Sequence, residues 1–380
     1  MSIRQVALPP VTGENRKVKT IRLAVDPAHL DTAEARHAIA RAAEILRTGG
    51  LVAFPTETVY GLGANALDPT AVASIFAAKQ RPSWDPVIVH IAGPATENLM
   101  LDNLVTSVPE PARKLMAAFW PGPLTLLLPR SAAVPDAVTA GRPLVGIRMP
   151  AHPVAFELIR QAGVPVAAPS ANLFSHISPT TAAHVLDDLD GRIDAILDAG
   201  PTRHGVESTV LDPCQSPMVI YRPGAITAAQ IQETGGPVAL HQDSEIVQST
   251  PPEALPSPGV GLRHYAPRAR LVLVEFPLAE LPLRLAAAAT LHSNERLGIM
   301  LPAELVKPVP GLPTAIIFSW GRWADPEELA RNLYAGLRAL DAQGCTLILC
   351  PLPPAEGLGA AIRDRLCKAA HRKPAQQAEM

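Results

Sequence analysis

Lys79, Arg81 and His90 stand close together in "AAKQRPSWDPVIVH", residues 77–90. Two cations close a helical pattern, Pro82 and Pro86 stiffen the loop behind them, and a short apolar strand ends in the histidine. Such a loop is either a basic helix end facing its own dipole or the mouth of a site for an anion. The same kind of residue recurs at the ends of other apolar strand patterns: Thr56 and Thr58, Arg148, Ser170 and Asn172, Ser208 and Thr209, and Arg222. In open α/β sheets, ligands are held at strand ends. Singly, each has a plainer reading, with His90 a satisfied core histidine and Arg148 an ion-pair partner. Together they describe a polar, cationic cavity in which Arg grips carboxylate or phosphate while hydroxyls and amides fix orientation.

Several other chemistries are not supported. No G-x-x-x-x-G-K-[ST] or G-x-G-x-x-G run is present, and "GLGANA" (61–66) reads as a tight turn. The serines lie in no G-x-S-x-G elbow, and the 11 histidines show no H-x-x-x-H spacing. Cys214, Cys345, Cys350 and Cys367 make no C-x-x-C pair, so zinc is not expected and a reducing compartment is. With 33 basic against 35 acidic side chains the net charge is −2, which gives no domain-wide attraction for a nucleic-acid backbone. The first residues lack the apolar core of a signal peptide, and no run approaches the roughly 20 apolar residues of a membrane span. A cytoplasmic protein, with no membrane partner and no stable nucleic-acid binding, is expected.

Elements that could position the cavity are legible. A chain of 380 residues, 48% of them hydrophobic, accommodates two domains, and aromatics at 4% leave the cores to aliphatic side chains. Residues 1–32 read as a lead-in. A catalytic domain spans 33–228, opening with a helix over 33–47 that Gly49 and Gly50 close. Asp68-Pro69 starts the helix "PTAVASIFAAK", which turns Val72, Ile75 and Phe76 inward. Apolar runs at 87–92, 124–129, 144–150, 164–170, 195–200, 208–213 and 218–224, with helical patterns between several, predict a twisted, mixed open α/β sheet around a central cationic cavity. Pro, Ser and Gly crowd a linker over 229–268. A smaller parallel α/β domain, Rossmann-like, fills 269–373. Its long helix has Asp325 as cap, Pro326 in the first turn, Glu328 in the capping-box place and Leu329, Leu333, Leu337 and Leu340 as its buried stripe.

"FPTETVYGLGANA", "KQRPSWDPVIVH", "FWPGPLTLLL", "GIRMPAH", "APSAN…ISPT", "ESTVLD" and "YRPGAI" occur in the order found in YrdC-like proteins. "SPGVGLRHYAP" and "GLGAAIRDRL" resemble the long form of that family, which carries an additional α/β domain. The resemblance implies synthesis of L-threonylcarbamoyladenylate and pyrophosphate from L-threonine, bicarbonate and ATP. Mg2+ would accompany ATP, the protein would supply no metal ligand, and a downstream tRNA threonylcarbamoyl-transferase machinery would receive the product. By motif match, Thr58, His90, Arg148 and Ser208 resemble the threonine-holding positions, with Arg148 on the carboxylate. Lys79, Arg81, Asp85, Ser170, Asn172, Ser178 and Arg222 resemble the ATP-side positions, joined by main-chain groups near Leu144 and Ala168. Lys79 and Arg81 would face the triphosphate as the catalytic cations, and Tyr265 would fold over the nucleotide as part of a lid. Asp85 stands where the resemblance calls for Asn, and Val260 where it calls for Met. Two alternatives stay open: an RNA-binding module, and a carbamoyl-transfer relative whose paired-cysteine fingers this chain lacks. An interaction or regulatory role for the C-terminal domain is a further reading.

Overall fold

The computed structural model describes residues 19–94, 98–241, 255, 257, 260, 265–305 and 315–370. Fifteen strands form two sheets among these residues. In chain order the first eight are β1 (Ile21–Ala24), β2 (Val52–Pro55), β3 (Tyr60–Asn65), β4 (Val89–His90), β5 (Leu124–Pro129), β6 (Leu144–Arg148), β7 (Val166–Ala167) and β8 (Ala195–Asp198). Then come β9 (Thr209–Asp212), β10 (Met218–Arg222), β11 (Val238–Leu240), β12 (Arg270–Val274), β13 (Leu297–Pro302), β14 (Ile316–Gly321) and β15 (Leu347–Pro351). The larger sheet runs β1-β8-β2-β3-β7-β4-β6-β5-β9-β10-β11 and mixes parallel with antiparallel pairs. The smaller runs β12-β15-β13-β14 and is parallel throughout.

Helices of the first part are α1 (Ala33–Arg47), α2 (Pro69–Lys79), α3 (Leu99–Leu104), α4 (Glu110–Phe119), α5 (Asp136–Thr139), α6 (Pro153–Ala162), α7 (Ala182–Leu189) and α8 (Ala228–Gly235). Those of the second are α9 (Leu281–Leu291), α10 (Pro326–Ala342) and α11 (Leu358–Ala370). Their ends are chemically marked. Asp68 Oδ1 accepts from the Thr70 and Ala71 amides at 2.8 and 3.3 Å, so α2 begins at Pro69. It stops where Gln80 turns left-handed, φ 53°. α1 presents Ala35, Ile39, Ala42 and Leu46 at helical spacing, and these meet Val154, Leu158 and Ile159 of α6 on one face of the large sheet. α2, α4 and α7 fill the other face.

Sequence and structure part at several places. "GLGANA" is strand β3 and its continuation, not a tight turn. A Cβ on Gly63 would fall 2.7 Å from Phe54 and 2.8 Å from Val166, so the glycine is there for close strand packing. β1 lies within the expected lead-in and β11 within the expected linker, so the sheet extends beyond residues 33 and 228 on both sides. Residues 242–254, 256, 258, 259 and 261–264 of that linker lie outside the described residues. Asp325 caps α10, accepting from the Glu328 amide at 3.0 Å. The Glu328 carboxylate turns instead to Arg322, so the reciprocal capping-box bond is not made.

The leucine stripe of α10 is fully buried, each side chain contributing about 1.5–3 kcal/mol by leaving water. α10 and α11 cover the face of the small sheet that carries Met300, Trp320 and Ile348, while α9 covers the other with Ile299, Leu301 and Leu349. Val59, Ile177 and Val206 of the first part pack into the same cluster as α10 and α11. The second domain therefore docks on the end of the large sheet where the polar strand termini gather.

Candidate active site

Register brings the polar strand ends together. β4 and β6 run parallel with His90 opposite Arg148, so both side chains leave adjacent strands at the same level. The Thr56–Val59 turn that follows β2, the residues after β7, Ser208 before β9 and Arg222 ending β10 complete the rim. They line one small, partly open polar cavity. Thr58, Arg81, His90, Arg148, Ala168, Ser170, Ser208, Arg222 and Tyr265, all singled out by sequence, line it. Lys79, Asp85, Leu144, Asn172 and Ser178 do not line it; they lie behind its wall or away from it.

At one end Arg148 is clamped. Its Nε donates to the Gly122 carbonyl at 3.2 Å and Nη1 to Thr58 Oγ1 at 3.0 Å, while Nη2 lies 2.7 Å from Glu57 Oε1. Thr56 Oγ1 donates to the Val59 carbonyl, so the 2.8 Å contact between the two threonine hydroxyls is donated by Thr58. Thr58 can then accept from Arg148 as observed. Two guanidinium protons are donated within the protein, and Nη2, in ion-pair contact with Glu57, makes no hydrogen bond among the described residues, which leaves protons for a ligand carboxylate. His90 packs edge-on to Phe54, and its Nδ1 is buried with no hydrogen-bond partner among the described residues. Burial first, and then the charge of Arg148, lower its pKa to about 3, so the ring is neutral near pH 7.

The other end is more basic. Arg222 donates from Nε to the Ser208 carbonyl at 3.0 Å and from Nη2 to Ser208 Oγ at 3.1 Å, and Ser208 Oγ also meets Thr125 Oγ1 at 2.8 Å. Arg222 has no ion-pair partner among the described residues, which sets it apart from the other two arginines of the wall. Arg81 pairs with Asp85 at 2.9 Å and donates to the backbone carbonyls of Asp85 and Pro86. Burial opposes charge at both members, pushing the Asp85 carboxyl up and the Arg81 guanidinium down, and their contact offsets it. Asp85 thus stands behind Arg81, and its charge is met before it reaches the cavity.

Lys79 is buried beneath this end. Its ammonium donates to the Ser170 and Asn172 carbonyls, so in this structure it fastens the turn after β7. Burial, then the charge of Arg81, lowers its pKa well below that of a free lysine. Asn172 donates its amide to the Leu173 and His176 carbonyls at 2.8 Å, and Ser178 donates to Glu207 Oε1 at 2.6 Å. Leu144 packs with Ile88 and Leu127.

Sequence reasoning missed Glu57, Glu207, Tyr334 and Arg365. Glu207 is the one carboxylate of the cavity wall among the described residues, and Tyr334 and Arg365 of the second domain both bond to it. A signal existed. Both glutamates adjoin an assigned hydroxyl inside an apolar motif, and Arg365 falls three and four residues after Ile362 and Ala361 on the buried face of α11. Tyr265 lines the cavity in a left-handed conformation, φ 64°, and stacks on Tyr334 at 5.9 Å.

Fold and cavity define a two-domain α/β protein with Arg148 at one end of a polar pocket and Arg81 and Arg222 at the other. A model of the Sua5/YciO/YrdC proteins, carrying the description telomere recombination, matches residues 44–224. A model of the threonylcarbamoyl-AMP synthase C-terminal domain matches residues 226–371. The chain belongs to the Sua5/YciO/YrdC family, in the form that carries this second domain. Threonylcarbamoyl-AMP synthase of Pyrococcus abyssi is 41% identical to it over 336 residues, 86% of this chain and 92% of the relative. The enzyme of that name from Bacillus subtilis is 45% identical, over 87% and 92%. Among solved structures, P. abyssi Sua5 complexed with L-threonine has a TM-score of 0.82 and 39% identity, covering 92% of this chain and 98% of that one.

Proposed function

We propose that the chain is a threonylcarbamoyl-AMP synthase, a nucleotidyltransferase that joins L-threonine, bicarbonate and ATP and releases pyrophosphate. The observation that carries this reading is a single cavity with the clamped Arg148–Thr58 pair at one end and Arg81 and Arg222 at the other. Family membership and relatives of that name support it.

In this mechanism the threonine carboxylate takes guanidinium protons of Arg148 that no group among the described residues accepts. Neutral His90, Thr58 and Ser208 orient the amine and hydroxyl without adding charge. The amine takes up bicarbonate with loss of water, and a carbamate oxygen then attacks the α-phosphorus of ATP. The bond to the β-phosphate oxygen breaks, and pyrophosphate leaves against Arg81 and Arg222. No protein nucleophile is needed; orientation and charge neutralisation carry the rate. Lys79 acts by holding the Ser170–Asn172 turn that borders the nucleotide, and Asn172 and Ser178 act through the same wall. Main-chain groups near Leu144 and Ala168 belong to the nucleotide side, and Tyr265 covers it. Glu207 has both oxygens engaged, so the wall offers magnesium no carboxylate cage. The ion enters as the counter-ion of ATP, and no step is routed through it.

In this reading the large sheet with its helices, β1 to β11, forms the catalytic domain, Tyr265 belongs to the connection that follows, and the small parallel sheet with α9, α10 and α11 is a Rossmann-like partner. No helix among the described residues is long and apolar enough to cross a membrane. A cytoplasmic enzyme that hands its product to tRNA-modifying machinery fits the proposal. The test is pyrophosphate release from ATP, with and without threonine and bicarbonate, using serine as control. Release should require both co-substrates. Folded protein that releases none with threonine would sink the assignment and turn attention to RNA binding.

A further inference from the structure

Glu207 sits oddly in a cavity proposed to hold a polyphosphate, and the second domain supplies the answer. Its Oε1 accepts from Ser178 Oγ at 2.6 Å, and its Oε2 accepts from Tyr334 Oη at 2.9 Å and from Arg365 Nε at 2.7 Å. Two of these three donors come from α10 and α11. Arg365 is completely buried on a helix face with Ala361, Ile362 and Leu366, a costly place for a guanidinium unless a carboxylate meets it.

From there the charges alternate outward. Arg365 Nη1 donates to Asp364 at 2.5 Å, and Asp364 pairs with Lys368 at 2.8 Å. Tyr265 lies over the same guanidinium, 5.3 Å from its ring centroid. The approach to Glu207 is also fitted to the second domain. A Cβ on Gly205, φ 72°, would fall 2.5 Å from the Ala330 carbonyl oxygen and from Arg331 Cα.

We propose that Arg365 is a positioning residue of the nucleotide half of the cavity: it neutralises and holds Glu207, so that Arg222 stays free for the incoming polyphosphate. The inference rests on the synthase reading above. Without Arg365, Glu207 becomes an uncompensated carboxylate in the wall, and Arg222, which lines the same cavity and is held by the adjoining Ser208, is placed to answer it; the charge of Arg222 already acts on Glu207 in the intact protein. One substitution in the second domain would then both add a negative charge beside the phosphates and occupy the arginine that meets them. The threonine end, built on Arg148 and Thr58, would be spared.

The experiment titrates the full-length protein by calorimetry with ATP and Mg2+, with pyrophosphate as a second anionic probe, and separately with threonine. Arg365→Met is expected to weaken ATP and pyrophosphate by about tenfold or more, with threonine affinity unchanged. The double variant Arg365→Met/Glu207→Gln removes both charges and is expected to return ATP affinity to within about threefold of wild type. A residue that merely glues two domains together predicts the reverse, because the double variant has lost still more of the interface. The inference is overturned if Arg365→Met binds ATP as wild type does, or if the double variant is no better than the single one. Should Arg365→Met fail to fold, the double variant decides alone, and an ATP affinity tenfold below wild type there overturns the idea. Wild-type protein that binds threonine but not ATP refutes the synthase reading itself, and the inference with it.

Discussion

Replacing Arg148 by Met removes two things at once: the anchor for the threonine carboxylate and the partner of a buried acid. Arg148 and Glu57 are 2.7 Å apart, with only 4% and 7% of their side chains exposed. Removing one member of such a pair leaves the other charge uncompensated, which costs about 3–5 kcal/mol. The pH dependence has a definite sign. Burial alone would raise the Glu57 pKa, but the charge and hydrogen bond of Arg148 outweigh it and hold the carboxyl below its usual range. In the wild type this stabilisation is therefore present above the unfolded value of about 4.3 and is lost as pH falls through the lower folded value. In Arg148→Met burial, the largest single contribution, is opposed only by the Glu57 and Ala151 backbone hydrogen bonds, so the folded pKa is raised. The penalty is then full at neutral pH and shrinks as pH falls through that raised value.

Urea unfolding at pH 7 and pH 5 should show the gap between wild type and Arg148→Met narrowing at the lower pH. Threonine binding should weaken by about 3 kcal/mol, roughly two orders of magnitude in Kd, while ATP binding stays within about threefold. Adding Glu57→Gln should recover most of the stability and none of the threonine affinity. Two results would refute this reasoning. Equal losses of threonine and ATP binding would mean that Arg148 supports the whole cavity and does not anchor one substrate. Recovery of threonine affinity in the double variant would mean that the single variant failed only by misfolding.

His90, neutral near pH 7 with its pKa lowered to about 3, withholds a proton that the unfolded chain binds below about 6.5. Wild type should therefore lose stability to His90→Gln as pH falls from 7 to 5; urea midpoints that move in parallel would contradict the buried, neutral ring. Gly205→Ala places a Cβ 2.5 Å from α10 backbone at a left-handed φ of 72°, so it should destabilise the protein by about 1–3 kcal/mol. It should also weaken ATP more than threonine, and equal losses would separate that loop from the nucleotide end.

Much of the large sheet was legible because its signals are local. Caps at Asp68 and Asp325 sit one residue before their helices, and the leucines of α10 repeat at a spacing that only a helix buries on one side. Arg148, His90, Ser208 and Arg222 were legible as polar ends of apolar runs, a pattern the chain shows before it folds. "GLGANA" misled because two glycines spaced for a turn are also two glycines spaced for one strand face, and only Phe54 and Val166 across the sheet decide between them. Arg365 could be placed on the buried face of α11 by its spacing, but its pairing was out of reach: the partner is 158 residues away, and nothing near either residue marks it. β1 escaped because an edge strand of four residues, most of them exposed, has no alternation to read.

The three arginines of the wall illustrate how similar side chains acquire different tasks. Arg148 and Arg81 each have a buried carboxylate behind them, at 2.7 and 2.9 Å, and a backbone carbonyl that fixes the guanidinium plane. Their charge is already answered, so what they offer an incoming anion is direction: protons held in place for a planar carboxylate or a phosphate edge. Arg222 is fixed just as firmly, by the Ser208 carbonyl and hydroxyl, but by neutral groups. No carboxylate is paired with it among the described residues. An anion entering the cavity gains most at Arg222, provided Glu207 does not reach it first. In this fold that condition is met from outside the large sheet, by the Arg365 guanidinium that α11 buries against Glu207.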